Sequence, residues 1–591
     1  MKRFKHIKRT TAAVTALVLA LSVCCCASAS DGGTRNEKFV KSFNKVSNFL
    51  LNDVIFKALT LMVPDAASVE YLDRVDLETR DGFLEGDESF IDSPAGDAKW
   101  SLGYSEKSIL PADFGVALKY ARGSYIPYIG ATGIYTDNNG EKEDLKVRTT
   151  VLDDGSGRGA VVFAVVDCIG LANTDVRRIR EELKDFAAQN GIKSINVSAT
   201  HTHTGIDTQG AWNNPVSAAL TNMFSRITGK VKSGVNKDFL DNLIAVTAQS
   251  VKEAYASMTE GELYFAKLAP GGILFDRTYP RGADGNIYRL EFIPADGSAP
   301  TLMVSFGTHP EIASYDWFIN GKLDHKVSGD FVYYMEQVAN AAGYNFQYIQ
   351  GNVGTNGTGR GGSDDGLDLS PSHESAMRYG WEMGYIALGM DKTESEREEL
   401  NESTGDFLGV EKYSGREGYT VWYKGLKQAE ETNLAPVLNV RHRQFLLKVG
   451  SNVSVFLTKT GIANNKLVKD KKTGTYYMLT EIGYMEIADS MKVFFDPGEL
   501  YSELLTGAQE LDGFKYECLR DLYGEDFLVF DLMNDAAGYI MPDNYYVMAG
   551  YNYNKNTDEK DFETWCLLVS PGENAASDIF GELIALVDEV K

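Results

Sequence analysis

The chain has 591 residues, of which 43% are hydrophobic and 11% aromatic, and its formal net charge is -25 at pH 7. This length and apolar content suffice to bury a large core, as one large domain or two medium ones. The aromatic content excludes a disordered chain. The acidic charge argues against nucleic acid, or an anionic membrane surface, as the main partner.

The first 29 residues have the pattern of an export signal. Five of the first nine residues are Lys or Arg, an apolar run covers residues 12–23, and Ala27-Ser28-Ala29 fits the small-x-small cleavage rule. We therefore expect a signal peptide over residues 1–29 and a secreted or cell-envelope protein. Two alternatives stay open. The run can be a retained anchor, or a lipid can be attached at the cysteines that begin at Cys24, because the preceding residues resemble a lipobox.

Residues 31–98 are predicted to form a helical appendage followed by a linker. Apolar residues recur at helical spacing over residues 37–63, and an acidic, glycine-containing stretch follows over 81–97. This helix can pack on the main domain or lie peripherally against a membrane. The main domain is expected to span residues 99–591.

From residue 99 onward, strand and helix patterns alternate. Residues 159–167 form an apolar run typical of a buried strand, and a helix pattern follows that begins with Asn173 or Thr174 as cap and ends at Gly191. The next strand begins at Ser194, so this is a β-α-β unit with parallel strands. The pattern recurs further along the chain. The predicted fold class is α/β, with a mixed central β-sheet flanked by helices.

Several predicted strands end in residues that carry chemistry. These residues are His201, His203, His309, Glu499 and Tyr539. Ligands bind at the carboxyl ends of strands in open α/β sheets, so the side chains are expected to converge there. Two histidines and a glutamate form a sufficient ligand set for a catalytic zinc ion. Of the two neighbouring histidines, one can bind the metal while the other serves the reaction.

Each residue also has a purely structural interpretation. His309, which precedes a proline, can be a hydrogen-bonded core histidine, and Glu499 can be an acidic residue at a helix N-terminus. The glycine-rich stretch 351–362 lacks the Gly-Lys-Ser/Thr ending of a phosphate-binding loop. No predicted strand ends in the Gly-x-Ser-x-Gly motif of serine hydrolases.

The motifs resemble those of the neutral, non-lysosomal ceramidases. "INVSATHTHTG" is similar to their Ser-Ala-Thr-His-Thr-His-Ser-Gly stretch, and "SFGTHPE" to their second histidine segment. "HKVSGD", "FFDPGE" and "LMNDAAGYIMPDNYY" resemble further family motifs, in the family's order. The resemblance implies an amide hydrolase whose zinc ligands correspond to His201, His309, Glu499 and Tyr539.

The resemblance also implies a set of residues that act on the substrate. His203 matches the family's second active-site histidine and is expected to relay a proton. Arg277 and Tyr551 match an arginine and a tyrosine that would donate to the developing oxyanion. The expected substrate is a small-molecule or lipid amide.

Two features depart from the family. Its serine-containing hexapeptide corresponds here to "QGNVGTNGTG", where the serine position falls on Gly354 or Gly357. About fifty residues follow Tyr539, so we expect no C-terminal immunoglobulin-like domain. The departures leave two alternatives to an N-acyl lipid hydrolase. One is an esterase or amidase for a different envelope substrate, and the other is a non-catalytic, metal-containing ligand-binding envelope protein.

Overall fold

The protein is described by a computed structural model. The predicted signal peptide and Tyr551 lie outside the described residues. The residues that the structure describes are 45–63, 65, 69–74, 83–112, 115, 131–210, 222, 233–277, 282–315, 318–319, 322–323, 326–358, 372–405, 407, 426–507, 514–546, 552–553, 560–561 and 570–591.

The strands range from two-residue pairs to a strand of twelve residues. In chain order they are β1 (Val69–Tyr71), β2 (Trp100–Ser108), β3 (Gly133–Ile134), β4 (Lys146–Asp153), β5 (Ala160–Val166), β6 (Ile192–Ala199), β7 (Thr259–Leu268), β8 (Leu274–Asp276), β9 (Ile287–Pro294), β10 (Thr301–Phe306), β11 (Phe318–Ile319), β12 (Lys322–Leu323), β13 (Lys326–Val327), β14 (Asn345–Gln350), β15 (Asn356–Thr358), β16 (Glu431–Asn433), β17 (Leu438–Lys448), β18 (Leu467–Lys469), β19 (Tyr476–Ile487), β20 (Met491–Phe495), β21 (Glu499–Leu500), β22 (Phe527–Phe530), β23 (Tyr539–Ile540), β24 (Asn552–Tyr553) and β25 (Lys560–Asp561).

The α-helices cover the outer faces of the sheets. They are α1 (Lys57–Met62), α2 (Asn173–Asn190), α3 (Lys237–Ala256), α4 (Phe331–Ala341), α5 (His373–Gly389), α6 (Glu394–Thr404), α7 (Asn452–Thr460), α8 (Ser502–Thr506), α9 (Leu519–Tyr523) and α10 (Ala575–Val590). A π-helical stretch, Phe49–Phe56, precedes α1, and short 3-10 helices lie at Leu72–Arg74, Ile312–Tyr315 and Asp543–Tyr545.

The larger sheet has the strand order β14-β10-β9-β7-β2-β4-β5-β6, with β16 beside β7. The pairs β5/β6 and β10/β14 are parallel, and each is joined by a crossover helix, α2 and α4 respectively. The remaining pairs of this order are antiparallel. Both β-α-β units therefore form, and the predicted mixed α/β fold is confirmed.

The larger sheet curves until its edge strands approach each other. The Gln347 amide on β14 donates to the backbone carbonyls of Arg148 on β4, at 2.8 Å, and Phe163 on β5, at 2.9 Å. The backbone N–H of His203, beyond β6, donates to the Pro310 carbonyl, beyond β10, at 2.8 Å. Two segments that lie far apart in strand order thus meet at the carboxyl ends of their strands.

A second sheet packs face to face on the first. Its order is β1-β18-β19-β20-β22, with β17 beside β19, and β20 and β22 are parallel. The Phe163 ring of the larger sheet contacts the rings of Phe495 and Phe530 edge-on, with centroids 6.0 and 6.5 Å apart. The sequence predicts one central sheet, whereas the structure has two, because local apolar patterns do not tell which strands pair.

Helices bury apolar stripes against the outer faces of this sandwich. Helix α2 places Val176, Ile179 and Leu183 in the core, and Gly191 ends it with a left-handed φ of 65°. The cap predicted at Asn173 or Thr174 is wrong, because Ala172 is the N-cap residue and provides no side-chain bond. Instead, the Asp535 carboxylate accepts the Asn173 N–H at 2.8 Å.

The described part of the N-terminal segment packs on the main body. The Asn52 amide donates to the Gly450 carbonyl at 3.0 Å and accepts from the Asn452 N–H at 2.8 Å. Strand β1 joins the second sheet as the parallel partner of β18. The predicted boundary between residues 98 and 99 stays a prediction. Among the described residues, none of the helices has the length and hydropathy of a membrane span.

Candidate metal centre

His201 lies just beyond β6 in a strained backbone conformation. Its φ is 68°, which side chains with a Cβ rarely adopt, and such strain is concentrated at functional sites. The ring Nδ1 lies 2.7 Å from the Ile169 carbonyl oxygen, which only accepts hydrogen bonds. Nδ1 therefore carries the proton, and Nε2 keeps a lone pair, which faces His203 Nε2 at 3.2 Å.

His309 is held in the same way beyond β10. Its Nδ1 donates to the Asn356 carbonyl at 2.6 Å, so its Nε2 also has a free lone pair. The side chain is fully buried, and burial lowers the pKa of His309 to about 4. A neutral imidazole with a carbonyl-bonded Nδ1 is the form in which histidine binds metals.

Glu499 and Tyr539 complete the group of donors from the second half of the chain. They are paired residues of the short parallel strands β21 and β23. Glu499 Oε2 lies 3.4 Å from His201 Nε2 and 3.5 Å from His309 Nε2. The Tyr539 hydroxyl lies 3.5 Å from His309 Nε2.

The surroundings of the Glu499 carboxylate suit a cation. Its Oε2 is buried and accepts no well-directed hydrogen bond from the described residues. A buried anionic oxygen without a hydrogen-bond donor leaves a charge that a metal ion would compensate.

The donor set fits zinc. Zinc binds histidine nitrogen and carboxylate oxygen at roughly 2.0–2.2 Å, so tetrahedral ligands lie roughly 3.3–3.6 Å from one another. The separations of Glu499 Oε2 from the two imidazole nitrogens, 3.4 and 3.5 Å, fall within this range. His201, His309, Glu499 and Tyr539 would hold the ion.

His203 lies beside this set. Its Nε2 is 3.2 Å from His201 Nε2, and the potential ligand atoms of His201, His203 and His309 all lie within 4.8 Å of one another. The position suits either a further ligand or a group that transfers protons to and from a substrate. His203 therefore lies where it could perform either predicted role, metal binding or proton transfer.

Glu311 is a residue of this site that the sequence reasoning missed. It lies two positions beyond His309 and is 5% exposed, with Oε2 at 3.4 Å from His203 Nδ1. Its Oε1 contacts the guanidinium Nη2 of Arg277. Arg277, which follows β8, is therefore joined to His203 through one carboxylate. The motif "THPE" was the available signal, because it places an acid directly after a strand-end histidine.

The two candidate positions for the family serine differ in their surroundings. A Cβ on Gly354 would clash with the Leu500 backbone, so this position accepts no side chain. A Cβ on Gly357 would lie 2.6 Å from Arg277 Nε, in space that the arginine side chain occupies. The nearby threonine hydroxyls are engaged elsewhere, since Thr355 donates to Ser502 Oγ at 3.0 Å and Thr358 to the His309 carbonyl at 2.9 Å.

Two buried carboxyls hold the backbone around Glu499. Asp531 Oδ2 accepts the N–H groups of Leu500, at 3.0 Å, and Val353, at 2.7 Å, and so ties β21 to the glycine-rich loop. Asp496 Oδ2 accepts the Gly498 N–H at 2.8 Å. Burial raises the pKa of Asp496 to about 7 and that of Asp531 well above its usual range.

Comparison with solved structures shows that the chain has the fold of the neutral ceramidases. The neutral ceramidase of Pseudomonas aeruginosa matches over 84% of this chain and 75% of its own, with a TM-score of 0.52 and 13% identity. A ceramidase described as complexed with C2 matches over 84% and 76%, with a TM-score of 0.52 and 12% identity. No protein-family model matches the chain, and no curated protein sequence matches it significantly.

Proposed function

We propose that the protein is an exported, zinc-dependent hydrolase of amide bonds that acts on an N-acyl lipid or a related amide. The observation that carries the proposal is the arrangement of His201, His309 and Glu499, in which Glu499 Oε2 lies 3.4 Å from His201 Nε2 and 3.5 Å from His309 Nε2. The shared fold with neutral ceramidases supports the reaction class.

Each residue of the site has its own proposed role in hydrolysis. A bound zinc ion supplies Lewis-acid activation of water and of an acyl carbonyl. His203 accepts a proton at Nε2 and returns it to the leaving amine, a role that general acid-base catalysis assigns to a positioned imidazole. Arg277 donates hydrogen bonds toward the oxygen on which negative charge develops. Tyr551 would share this donation.

The substrate preference is proposed to differ from that of serine-containing relatives. Neither Gly354 nor Gly357 offers a hydroxyl to a substrate head group, and the neighbouring threonines bond within the protein. An uncompensated buried polar contact costs about 1–3 kcal/mol, which shifts preference between amides without removing hydrolysis. We therefore expect weak or no ceramide turnover, with retained activity on another N-acyl or ester substrate.

The leader supports a location outside the cytoplasm. Residues 1–29 have the composition of a signal peptide, and the cysteines from Cys24 onward would permit a lipid anchor. A cell-envelope location would bring the site close to lipid amides. Mass spectrometry of the protein isolated from its cells would reveal cleavage after Ala29 or an acyl group on a cysteine.

Hydrolysis of a substrate panel tests the proposal. The purified protein is assayed against ceramides, other N-acyl amines and simple esters, with and without a zinc chelator. We expect turnover of at least one N-acyl or ester substrate that disappears with the chelator and returns with zinc. The variant His309→Ala should be inactive, whereas His373→Gln, a histidine outside the centre, should remain active.

Two results would contradict it. Turnover that persists after complete zinc removal would exclude the metal from the reaction. Zinc binding without hydrolysis of any panel member would favour the alternative, in which the chain is a metal-containing binding protein.

A further inference from the structure

Glu311 is placed where it contacts two residues of the proposed reaction at once. Its backbone N–H donates to the His309 carbonyl at 2.9 Å, so the position of Glu311 follows that of a metal-ligand candidate. The preceding residue, Pro310, accepts the backbone N–H of His203 at 2.8 Å. The loop that bears Glu311 is thus attached to the loop that bears His203.

The carboxylate selects one form of the His203 ring. Glu311 Oε2 lies 3.4 Å from His203 Nδ1, and an ionised carboxylate only accepts hydrogen bonds. The carboxylate therefore favours a proton on Nδ1, while Nε2 faces the metal centre and lies 3.2 Å from His201 Nε2. Without the carboxylate, either ring nitrogen can carry the proton. Some of the protein molecules would then have the proton on Nε2, where it prevents that nitrogen from accepting another.

The second carboxylate oxygen holds Arg277 in the space that a side chain at position 357 would need. Glu311 Oε1 contacts Arg277 Nη2, and the arginine packs against Gly357, where a Cβ would lie 2.6 Å from Nε. Backbone contacts support this placement, because the Arg277 N–H donates to the Thr355 carbonyl at 2.9 Å. Glycine at 357 and the pair of Arg277 with Glu311 therefore belong to one arrangement.

We infer that Glu311 is a positioning residue that fixes the His203 ring and the Arg277 guanidinium at the metal centre. The inference rests on the proposed hydrolase function. In this arrangement Glu311 does not touch the substrate; it keeps His203 Nε2 available for proton transfer and keeps Arg277 directed at the reacting carbonyl. The glycine at 357 provides the room that the arginine requires.

Substitutions at position 311 test the inference. In Glu311→Gln, which keeps the shape and removes the charge, zinc content should remain at the wild-type level. kcat should fall roughly 10–100-fold, the usual cost of losing a carboxylate behind a functional histidine, with little change in KM. In Glu311→Ala, added formate should restore part of the lost kcat, since a small carboxylate can fill the vacated place.

A double-variant experiment separates positioning from folding. If Glu311 acts partly through His203, Glu311→Gln should lower the residual kcat of His203→Ala by a smaller factor than it lowers the wild-type kcat, because only the contact with Arg277 is then left to lose. Glu291→Gln is the matched control. Glu291 is 7% exposed, and its carboxylate lies 3.3 Å from the Arg289 guanidinium. This ion pair lies outside the candidate metal centre, so loss of the Glu291 charge should leave kcat unchanged.

The outcomes distinguish this inference from the proposed function. Wild-type protein without zinc or without hydrolysis would contradict the function itself. An active wild type whose Glu311→Gln variant keeps full kcat would overturn only the role of Glu311. Loss of zinc from Glu311→Gln would also overturn it, because Glu311 would then support a metal ligand. Absence of formate rescue in a folded, zinc-loaded Glu311→Ala variant would likewise contradict it.

Discussion

Glu499 and Tyr539 are register partners on the parallel strand pair β21 and β23. Parallel pairing places their side chains on the same face of the pair, so the carboxylate approaches both His201 and His309 and the phenol approaches His309. Residues forty positions apart in sequence would therefore form one half of the proposed donor set, and His201 and His309 the other half.

Tyr539→Phe should weaken zinc binding and leave the fold intact. The variant removes the hydroxyl that lies 3.5 Å from His309 Nε2 but keeps the ring that packs edge-on against Tyr501, with centroids 6.0 Å apart. We expect the zinc dissociation constant, measured by competition with a chelator, to rise roughly 10–100-fold, by analogy with other losses around metal sites. The control Tyr501→Phe should retain the wild-type affinity.

His203→Ala should keep zinc and lose most of kcat. If His203 transfers protons, its removal costs roughly 10²–10⁴-fold in rate, the usual contribution of a positioned acid-base group. Zinc content by mass spectrometry and kcat on the best substrate check this. Loss of zinc from this variant would make His203 a ligand, which the 3.2 Å separation from His201 Nε2 also permits.

Two glycine substitutions should impair different properties, one the stability of the protein and the other its activity. Gly354→Ser should lower thermal stability, because the new Cβ would clash with the Leu500 backbone. This backbone is held close, since the Gly354 N–H donates a hydrogen bond to the Leu500 carbonyl at 3.0 Å. Gly357→Ser should fold, since the obstacles are the ends of the Arg277 and Phe275 side chains, but should lose activity as the arginine is displaced. Thermal unfolding and kcat for both variants check this. Unimpaired hydrolysis by Gly357→Ser would show that the arginine position is unimportant.

The contribution of Asp175 to the free energy of unfolding should fall as pH rises from about 4 to 7. Burial raises the pKa of Asp175 to about 7 in the folded protein, against the opposing effect of the nearby Arg178 guanidinium. In this window the folded state holds a proton that the unfolded state has released, so rising pH favours unfolding; above pH 7 the contribution is constant.

Asp175→Asn should therefore flatten the pH dependence of the urea midpoint between pH 5 and 8. Asparagine retains an oxygen for the Asn464 amide, which donates to Asp175 Oδ2 at 2.6 Å. The control Asp185→Asn, exposed on the same helix α2, should keep the wild-type slope. Identical slopes in wild type and Asp175→Asn would show that the buried carboxyl does not hold its proton.

The β-α-β units were predictable because their signals are local. The apolar run of β5, the helical stripe of α2 and the stop at Gly191 each lie within a short window, and the structure confirms them. The cap of α2 was not predictable, because the acceptor is Asp535, far away in sequence. The division into two sheets was missed for the same reason, since strand pairing is a long-range property.

Part of the site was predictable from strand ends alone. His201, His309 and Glu499 follow strands whose carboxyl ends meet, and their proximity agrees with that expectation. Glu311 was missed because the motif "THPE" indicates only an acid after a strand-end histidine. The direction of its carboxylate, toward His203, depends on the three-dimensional structure. The roles of these residues, and that of Tyr551 outside the described residues, stay predictions.

The zinc content of the purified protein tests the central claim most directly. We predict about one zinc ion per wild-type chain by inductively coupled plasma mass spectrometry, and none in folded His201→Ala or His309→Ala variants. His373→Gln, purified alongside them, should retain the ion. Wild-type protein that binds no zinc even after incubation with the metal, or full occupancy in His309→Ala, would contradict the proposed metal centre.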